Sequence, residues 1–133
     1  MKALVVEDDV TSRMVLTKIL SEFFDCDNAE HGLEGVEMFQ SALEKGKPYT
    51  LIFMDIMMPV MDGQSALQKI REAERAAKVL IGEEVKAIMT TALSDTKNVT
   101  EAFFKGQADA YISKPISRDK VIESLKEVGL LEG

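Results

Sequence analysis

Short apolar runs alternate along the chain with longer stretches in which apolar residues return every three or four positions. Ala3-Leu4-Val5-Val6 is a β-rich run that stops abruptly at Glu7-Asp8-Asp9, and it predicts a first strand. Met14, Val15, Leu16, Ile19, Leu20, Phe23 and Phe24 then keep helical spacing, which predicts a helix over about 10–24 capped by Asp9 or Thr11. A weak, short strand follows near 26–29. Gly32-Leu33-Glu34-Gly35 leads into a second helix carrying Val36, Phe39 and Leu43, which ends at Gly46-Lys47-Pro48. Leu51-Ile52-Phe53-Met54 is the clearest buried strand; it ends at Asp55, and a turn containing Pro59 and Asp62-Gly63 follows. A third helix starts near Gly63 and runs through Leu67, Ile70 and Arg71. The Ala- and charge-rich stretch 72–84, which contains Gly82, reads as its extension plus a surface loop. A fourth strand over 85–89 stops at Thr90-Thr91-Ala92. Val99, Ala102 and Phe103 mark a fourth helix with Gly106 past its end. Ala110-Tyr111-Ile112 is a fifth strand, and Val121, Ile122 and Leu125 build a last helix after Lys114-Pro115.

Strands alternating with helices imply an α/β fold whose sheet is mostly parallel and covered on both faces, with right-handed crossovers. The 133 residues, 46% of them hydrophobic, suffice for one core and one domain. Lys+Arg 16 against Asp+Glu 23 leaves a net charge of −7. An acidic chain without a basic cluster is a poor ligand for phosphate backbones, so no direct nucleic-acid binding is expected. Cys26 is the single cysteine and His31 the single histidine, which excludes an intramolecular disulfide and a Cys/His zinc cage within one chain. Any metal here is oxygen-ligated. The apolar runs fall far short of the ~18 residues of a membrane span. The chain opens directly on a strand-like run, so a cytoplasmic protein without membrane insertion is expected.

In an open parallel sheet the working groups gather beyond the carboxyl ends of the strands. The residues just past the confident strands are Glu7-Asp8-Asp9, Asp55, Thr91 and Lys114. Taken singly, each acid reads first as a solvated loop residue or a helix cap. Gathered on one edge they carry chemistry, because two like charges ~4 Å apart repel by about 4 kcal/mol at an effective dielectric near 20. Such a cluster calls for a cation, and hard oxygen ligands select Mg²⁺ or Mn²⁺ over zinc.

Glu7-Asp8-Asp9, the run Asp55-Ile-Met-Met-Pro-Val-Met-Asp-Gly63, Thr91-Ala92 and Tyr-Ile-Ser-Lys114-Pro115 together resemble the bacterial response-regulator receiver domain, over essentially the whole chain and in order. The resemblance implies a flavodoxin-like (βα)5 three-layer sandwich with a central five-stranded parallel sheet in the order 2-1-3-4-5. It implies that Asp55 accepts a phosphoryl group from a phosphohistidine on a partner. Arg13 sets the register in which Asp8 is the direct Mg²⁺ ligand and Glu7 acts through water. Asp9 is then the helix cap, or a metal ligand if that register is shifted by one. The Met57 backbone carbonyl is a further ligand. Thr91 and Lys114 each meet a phosphoryl oxygen, while Pro59, Gly63 and Pro115 are structural, the last holding the turn that aims Lys114.

Phosphoryl transfer asks little covalent work of a protein beyond in-line positioning and charge compensation. A loaded aspartate is nearer −2 than −1 and brings new acceptor oxygens. By resemblance, Thr91 senses them and Tyr111 turns inward, altering the face built from the fourth helix, fifth strand and last helix. As a strand-edge residue Tyr111 also reads simply as an amphipathic aromatic. The partners implied are a sensor histidine kinase or a histidine phosphotransfer protein, and a downstream protein docking on that face. The chain itself is a monomer or a weak, phosphorylation-dependent dimer. Only 129–133 follow the last helix, so a single receiver without an output domain is expected. Two roles share every residue named: terminal regulator and phosphorelay intermediate. Leu93 and Met57 flank the route of attacking water and predict slow spontaneous dephosphorylation.

Other classes fit less well. An aspartate-nucleophile phosphatase carries a second acid two residues after the nucleophile, where this chain has Met57, so no turnover of small substrates is expected. A flavodoxin needs hydroxyls and backbone donors after the first strand, and Glu7-Asp8-Asp9 repels phosphate. A receiver that is never phosphorylated is disfavoured because the expected groups are all present. Met54, Met57, Met58 and Met61 read as adaptable packing rather than a thioether copper site. His31 is expected to be neither ligand nor phosphodonor, and Cys26 a small core or edge residue.

Overall fold

Alternate residues of the central strands bury into opposite layers. Leu4, Val6, Ile52, Met54, Ala87 and Met89 face one core, and Ala3, Val5, Leu51, Phe53 and Ile88 face the other. Strands buried on both faces are what continuous apolar runs in a parallel sheet require. The computed structural model describes residues 1–92 and 108–132. In chain order its elements are β1 (Lys2–Val6), α1 (Val10–Leu20), β2 (Asp25–Ala29), α2 (Gly32–Glu44), β3 (Leu51–Asp55), α3 (Gly63–Ala76), β4 (Lys86–Thr91), β5 (Ala110–Ser113) and α4 (Arg118–Glu127). The predicted fourth helix around Val99, Ala102 and Phe103, with Gly106 past its end, lies outside the described residues, as does Leu93.

All four strand pairs are parallel, and the order is β2-β1-β3-β4-β5. This is the doubly wound, flavodoxin-like arrangement expected. Val36, Phe39 and Ala42 of α2 and Ala66, Leu67 and Ile70 of α3 cover one face of the sheet. Leu16 and Leu20 of α1 and Val121 and Leu125 of α4 cover the other. Each large side chain fully buried here, Phe39 or Phe53 for example, contributes ~1.5–3 kcal/mol by leaving water.

The switch from loop to helix is made by short polar caps. Asp9 Oδ2 accepts the Ser12 N–H at 2.8 Å, Asp62 Oδ1 the Ser65 N–H at 2.8 Å, and Ser117 Oγ the Lys120 N–H at 3.3 Å. His31 Nδ1 does the same for α2, accepting the Glu34 N–H at 3.2 Å. The α2 helix stops where predicted: Gly46 takes a φ of 73° and Lys47 N–H returns to the Ala42 carbonyl at 2.9 Å.

Two boundaries and one burial pattern differ from the sequence reading. The first helix ends at Leu20 rather than near 24: beyond it the backbone bonds tighten by one residue, Glu22 N–H donating to the Ile19 carbonyl at 3.3 Å and Phe23 N–H to the Leu20 carbonyl at 2.9 Å, and the chain turns. Phe24 still reaches the core from beyond that turn, which is why helical spacing seemed to continue. Met14 and Val15, read as part of the apolar pattern, are exposed. The fourth strand extends through Thr90 and Thr91, which pair with Ile112 and Ser113; β-branched threonines suit the pleat as well as valines do.

Candidate functional site

Side chains alternate along a strand, so Val5 and Glu7, Phe53 and Asp55, and Ile112 and Lys114 keep the same faces up to or just past the carboxyl edge. The three polar residues meet there. Lys114 Nζ donates to Asp55 Oδ2 at 2.9 Å and lies 3.3 Å from Glu7 Oε2. Asp55 Oδ1 accepts the Met57 N–H at 3.1 Å, which leaves its carboxylate held on both oxygens. Glu7 Oε1 accepts the Asp9 N–H at 3.1 Å. Arg13, six residues on, donates from Nη1 to the Glu7 carbonyl at 2.8 Å and so ties α1 to the acidic loop.

Glu7 and Asp55 are only 2% and 5% exposed, an unusual burial for neighbouring carboxylates. Desolvation, followed by the charge of Asp55, pushes Glu7 up to about 7. Burial alone depresses the Lys114 ammonium, but its bonds to Asp55 and then Glu7 outweigh that and hold it above its usual value. Asp8 is exposed at the mouth. One carboxylate oxygen each from Glu7, Asp8 and Asp55 lies within 4.8 Å of the others. With all three ionised, three carboxylates and one ammonium leave a formal −2, which one divalent cation balances. The donors are all oxygen, so the cluster suits Mg²⁺ or Mn²⁺.

The remaining predicted positions take distinct places. Asp9 stands outside the acidic cluster: its carboxylate caps α1, and the bond from Ser12 lowers its pKa. Thr91 is buried at the end of β4, its Oγ1 donating to the Ala92 carbonyl at 3.2 Å. Its own carbonyl accepts the Lys114 N–H at 2.7 Å. The Lys114–Pro115 bond is cis. The Met57 side chain and Tyr111 are 55% and 48% exposed, so Tyr111 points outward here. Pro59 is exposed in the loop between β3 and α3. Gly63 opens α3 directly under the site: a Cβ there would strike the Asp55 carbonyl oxygen and come within 2.8 Å of Met89 Cε.

Three features escaped the sequence reading. Thr90 Oγ1 is buried beside Asp55 in the register and has no hydrogen-bond partner among the described residues. Val60, in the loop after Asp55, has a φ of 70°, a conformation that a β-branched residue rarely adopts. Arg71, read only as a helix residue, is buried with Glu74 and joins Asp109 at 3.0 Å. The Arg71–Glu74 spacing was legible, but the partner 38 positions away was not.

Residues 3–126 match the family model described as "Response regulator receiver domain". Among curated relatives, a "Chemotaxis protein CheY" of Halobacterium salinarum is 34% identical over 128 residues, covering 96% of this chain and 95% of that protein. Among solved structures, the CheX-CheY-BeF3-Mg+2 complex from Borrelia burgdorferi aligns with a TM-score of 0.80 and 31% identity, over 96% of this chain and 88% of that one. A co-crystal of the Saccharomyces cerevisiae histidine phosphotransfer signaling protein Ypd1 with the receiver domain of its downstream response regulator Ssk1 aligns at 0.78 and 26%, covering 97% and 88%. No helix among the described residues is long and apolar enough to cross a membrane. A doubly wound sheet that gathers three acids and a lysine at its carboxyl edge, matched over nearly its full length, places this chain in the response regulator receiver domain family, the CheY-like receivers of two-component signalling.

Proposed function

We propose that Asp55 is the phosphoacceptor of this receiver and that its donor is a phosphohistidine on a sensor histidine kinase or a histidine phosphotransfer protein. The observation that carries the reading is the double constraint on Asp55, with Lys114 on Oδ2, the Met57 N–H on Oδ1 and the oxygens of Glu7 and Asp8 alongside. A carboxylate oxygen of Asp55 attacks phosphorus in line; an oxygen–phosphorus bond forms as the phosphorus–nitrogen bond of the donor imidazole breaks. Lys114 stays with the incoming oxygens and neutralises charge as it develops. Asp8 and Asp55 would hold Mg²⁺ or Mn²⁺ directly, with the Met57 carbonyl as a further ligand and Glu7 acting through water. When bound, the metal compensates charge on both the attacking and the transferred oxygens. Thr91 then offers its hydroxyl to a phosphoryl oxygen, and Tyr111 turns inward to change the surface around β5 and α4 that a downstream protein reads. Asp9 serves as the helix cap.

Met57 has no proton to give a leaving alkoxide, so the chain turns over no small phosphate esters. Its solution state is a monomer or a weak dimer strengthened by phosphorylation. Onward transfer to a second histidine is the alternative output; the likeness to a receiver downstream of a histidine phosphotransfer protein supports such a protein as the donor.

The test is incubation with Mg²⁺ and an acyl phosphate, followed by intact mass. One phosphoryl adduct is expected in the wild type and none in Asp55→Asn, with Asp8→Asn needing far more Mg²⁺. An adduct that persists in Asp55→Asn refutes the assignment.

A further inference from the structure

The first turn of a helix disfavours a cation, because its free N–H groups carry the positive end of the helix dipole. Lys120 nevertheless stands three residues past Ser117, the cap of α4. Its side chain doubles back toward the preceding turn. Nζ donates to the Ser113 carbonyl at 3.1 Å, to Ser113 Oγ at 3.4 Å and to the Pro115 carbonyl at 3.2 Å. An ammonium has three donors. All three are directed at the two residues that flank Lys114.

Lys114 carries its charge on a flexible four-carbon stem, so where its ammonium sits depends on where its backbone is held. From β4 that backbone is held by the Thr91 carbonyl, at 2.7 Å from the Lys114 N–H. From α4 it is held by Lys120, through carbonyls on either side. Hydrogen bonds from an ionised donor are about twice as strong as neutral ones, and two elements thus grip one residue from opposite sides. We infer that Lys120 is a positioning residue for Lys114, fixing the 113–115 turn so that the Lys114 ammonium stays on Asp55. This rests on the phosphoacceptor reading above. Lys120 touches neither Asp55 nor Glu7 in any bond described, so it acts through Lys114.

The experiment compares wild type, Lys120→Met, Lys114→Met and the double variant, each as the full chain, with Mg²⁺ and acetyl phosphate. Aspartyl phosphate is followed by intact mass over time. Lys120→Met is expected to slow modification about tenfold, within the ~hundredfold that a 1 Å misplacement costs. In the Lys114→Met background it should cost nothing more, because the side chain it positions is gone. Lys120→Arg keeps cationic donors and should recover about half the wild-type rate or better. If Lys120→Met does not fold, Lys120→Gln carries the same cycle. Wild-type speed in the Lys120 variant, or an equal fold-loss in both backgrounds, overturns the inference and leaves the phosphoacceptor reading standing. An unmodified wild type overturns both.

Discussion

Lys114 Nζ and Asp55 Oδ2 stand 2.9 Å apart although 59 positions separate the two residues in the chain. The contact places an ammonium between two carboxylates that are 6% and 3% exposed at their side chains, Asp55 and Glu7. Removing the ammonium leaves those charges without their counter-ion. In Mg²⁺-free buffer, Lys114→Met should therefore lose about 1–3 kcal/mol, less than the ~3–5 of a fully buried pair because Lys114 is itself partly exposed. Millimolar Mg²⁺ should restore most of that loss. Urea unfolding with and without the metal measures both values, and a loss indifferent to Mg²⁺ would count against the shared site.

The acidity of Glu7 sets a pH dependence. Its pKa is raised from 4.5 to about 7, so the folded protein holds that proton more tightly than the unfolded chain does. The stability this contributes is complete below about 4.5 and is lost as pH rises through about 7. Mg²⁺ favours the ionised form, so apparent metal affinity should climb between pH 5 and pH 8 with release of a proton. Calorimetry in buffers of different ionisation enthalpy reads that proton directly. Glu7→Gln should flatten the profile; an unchanged slope in this variant would assign the proton elsewhere.

Val60 is 86% exposed and gains almost nothing from packing, yet its φ of 70° places a β-branched side chain in the left-handed region. Such a conformation costs roughly 1–2 kcal/mol for ordinary residues and less for Asn. Val60→Asn should stabilise the protein by ~0.5–1 kcal/mol, raising the thermal midpoint by about 2–4 °C. A fall in midpoint would mean that the valine packs against something that outweighs its backbone.

Arg71 joins three places at the other end of the sheet. Its guanidinium donates to Glu74 at 2.7 Å, to the Val85 carbonyl at 2.8 Å and to Asp109 at 3.0 Å. Glu74 in turn accepts the Val85 N–H just before β4, and Asp109 the Ala87 N–H near its start. Arg71→Ala strands a buried carboxylate and should cost ~3–5 kcal/mol in urea unfolding. Arg71→Lys should recover little, because one ammonium does not reproduce the guanidinium's planar fork. Full recovery by lysine would show that charge alone, without direction, suffices.

How much was legible follows from which forces act locally. Apolar runs such as Leu51–Met54 and the cap Asp9 report strands and a helix start without any long-range information, because burial on both faces and orphan N–H groups are local demands. The motif residues were legible for the same reason: each stands at or just past the carboxyl end of a strand, where a parallel sheet collects its chemistry. The first helix was read too long because Phe24 keeps helical spacing while reaching the core from a turn.

Sequence alone determined the alternation of elements, the identity of the acids and lysine at the strand ends, and hence the family they resemble. Only the tertiary structure decided that Glu7 and Asp55 share one ammonium, that Arg71 reaches Asp109, and that Lys120 folds back on the turn around Lys114. These pairings depend on strand order and on the path of side chains through space. Periodicity carries neither, because a residue's spacing says which face it takes and nothing about what another element brings to meet it.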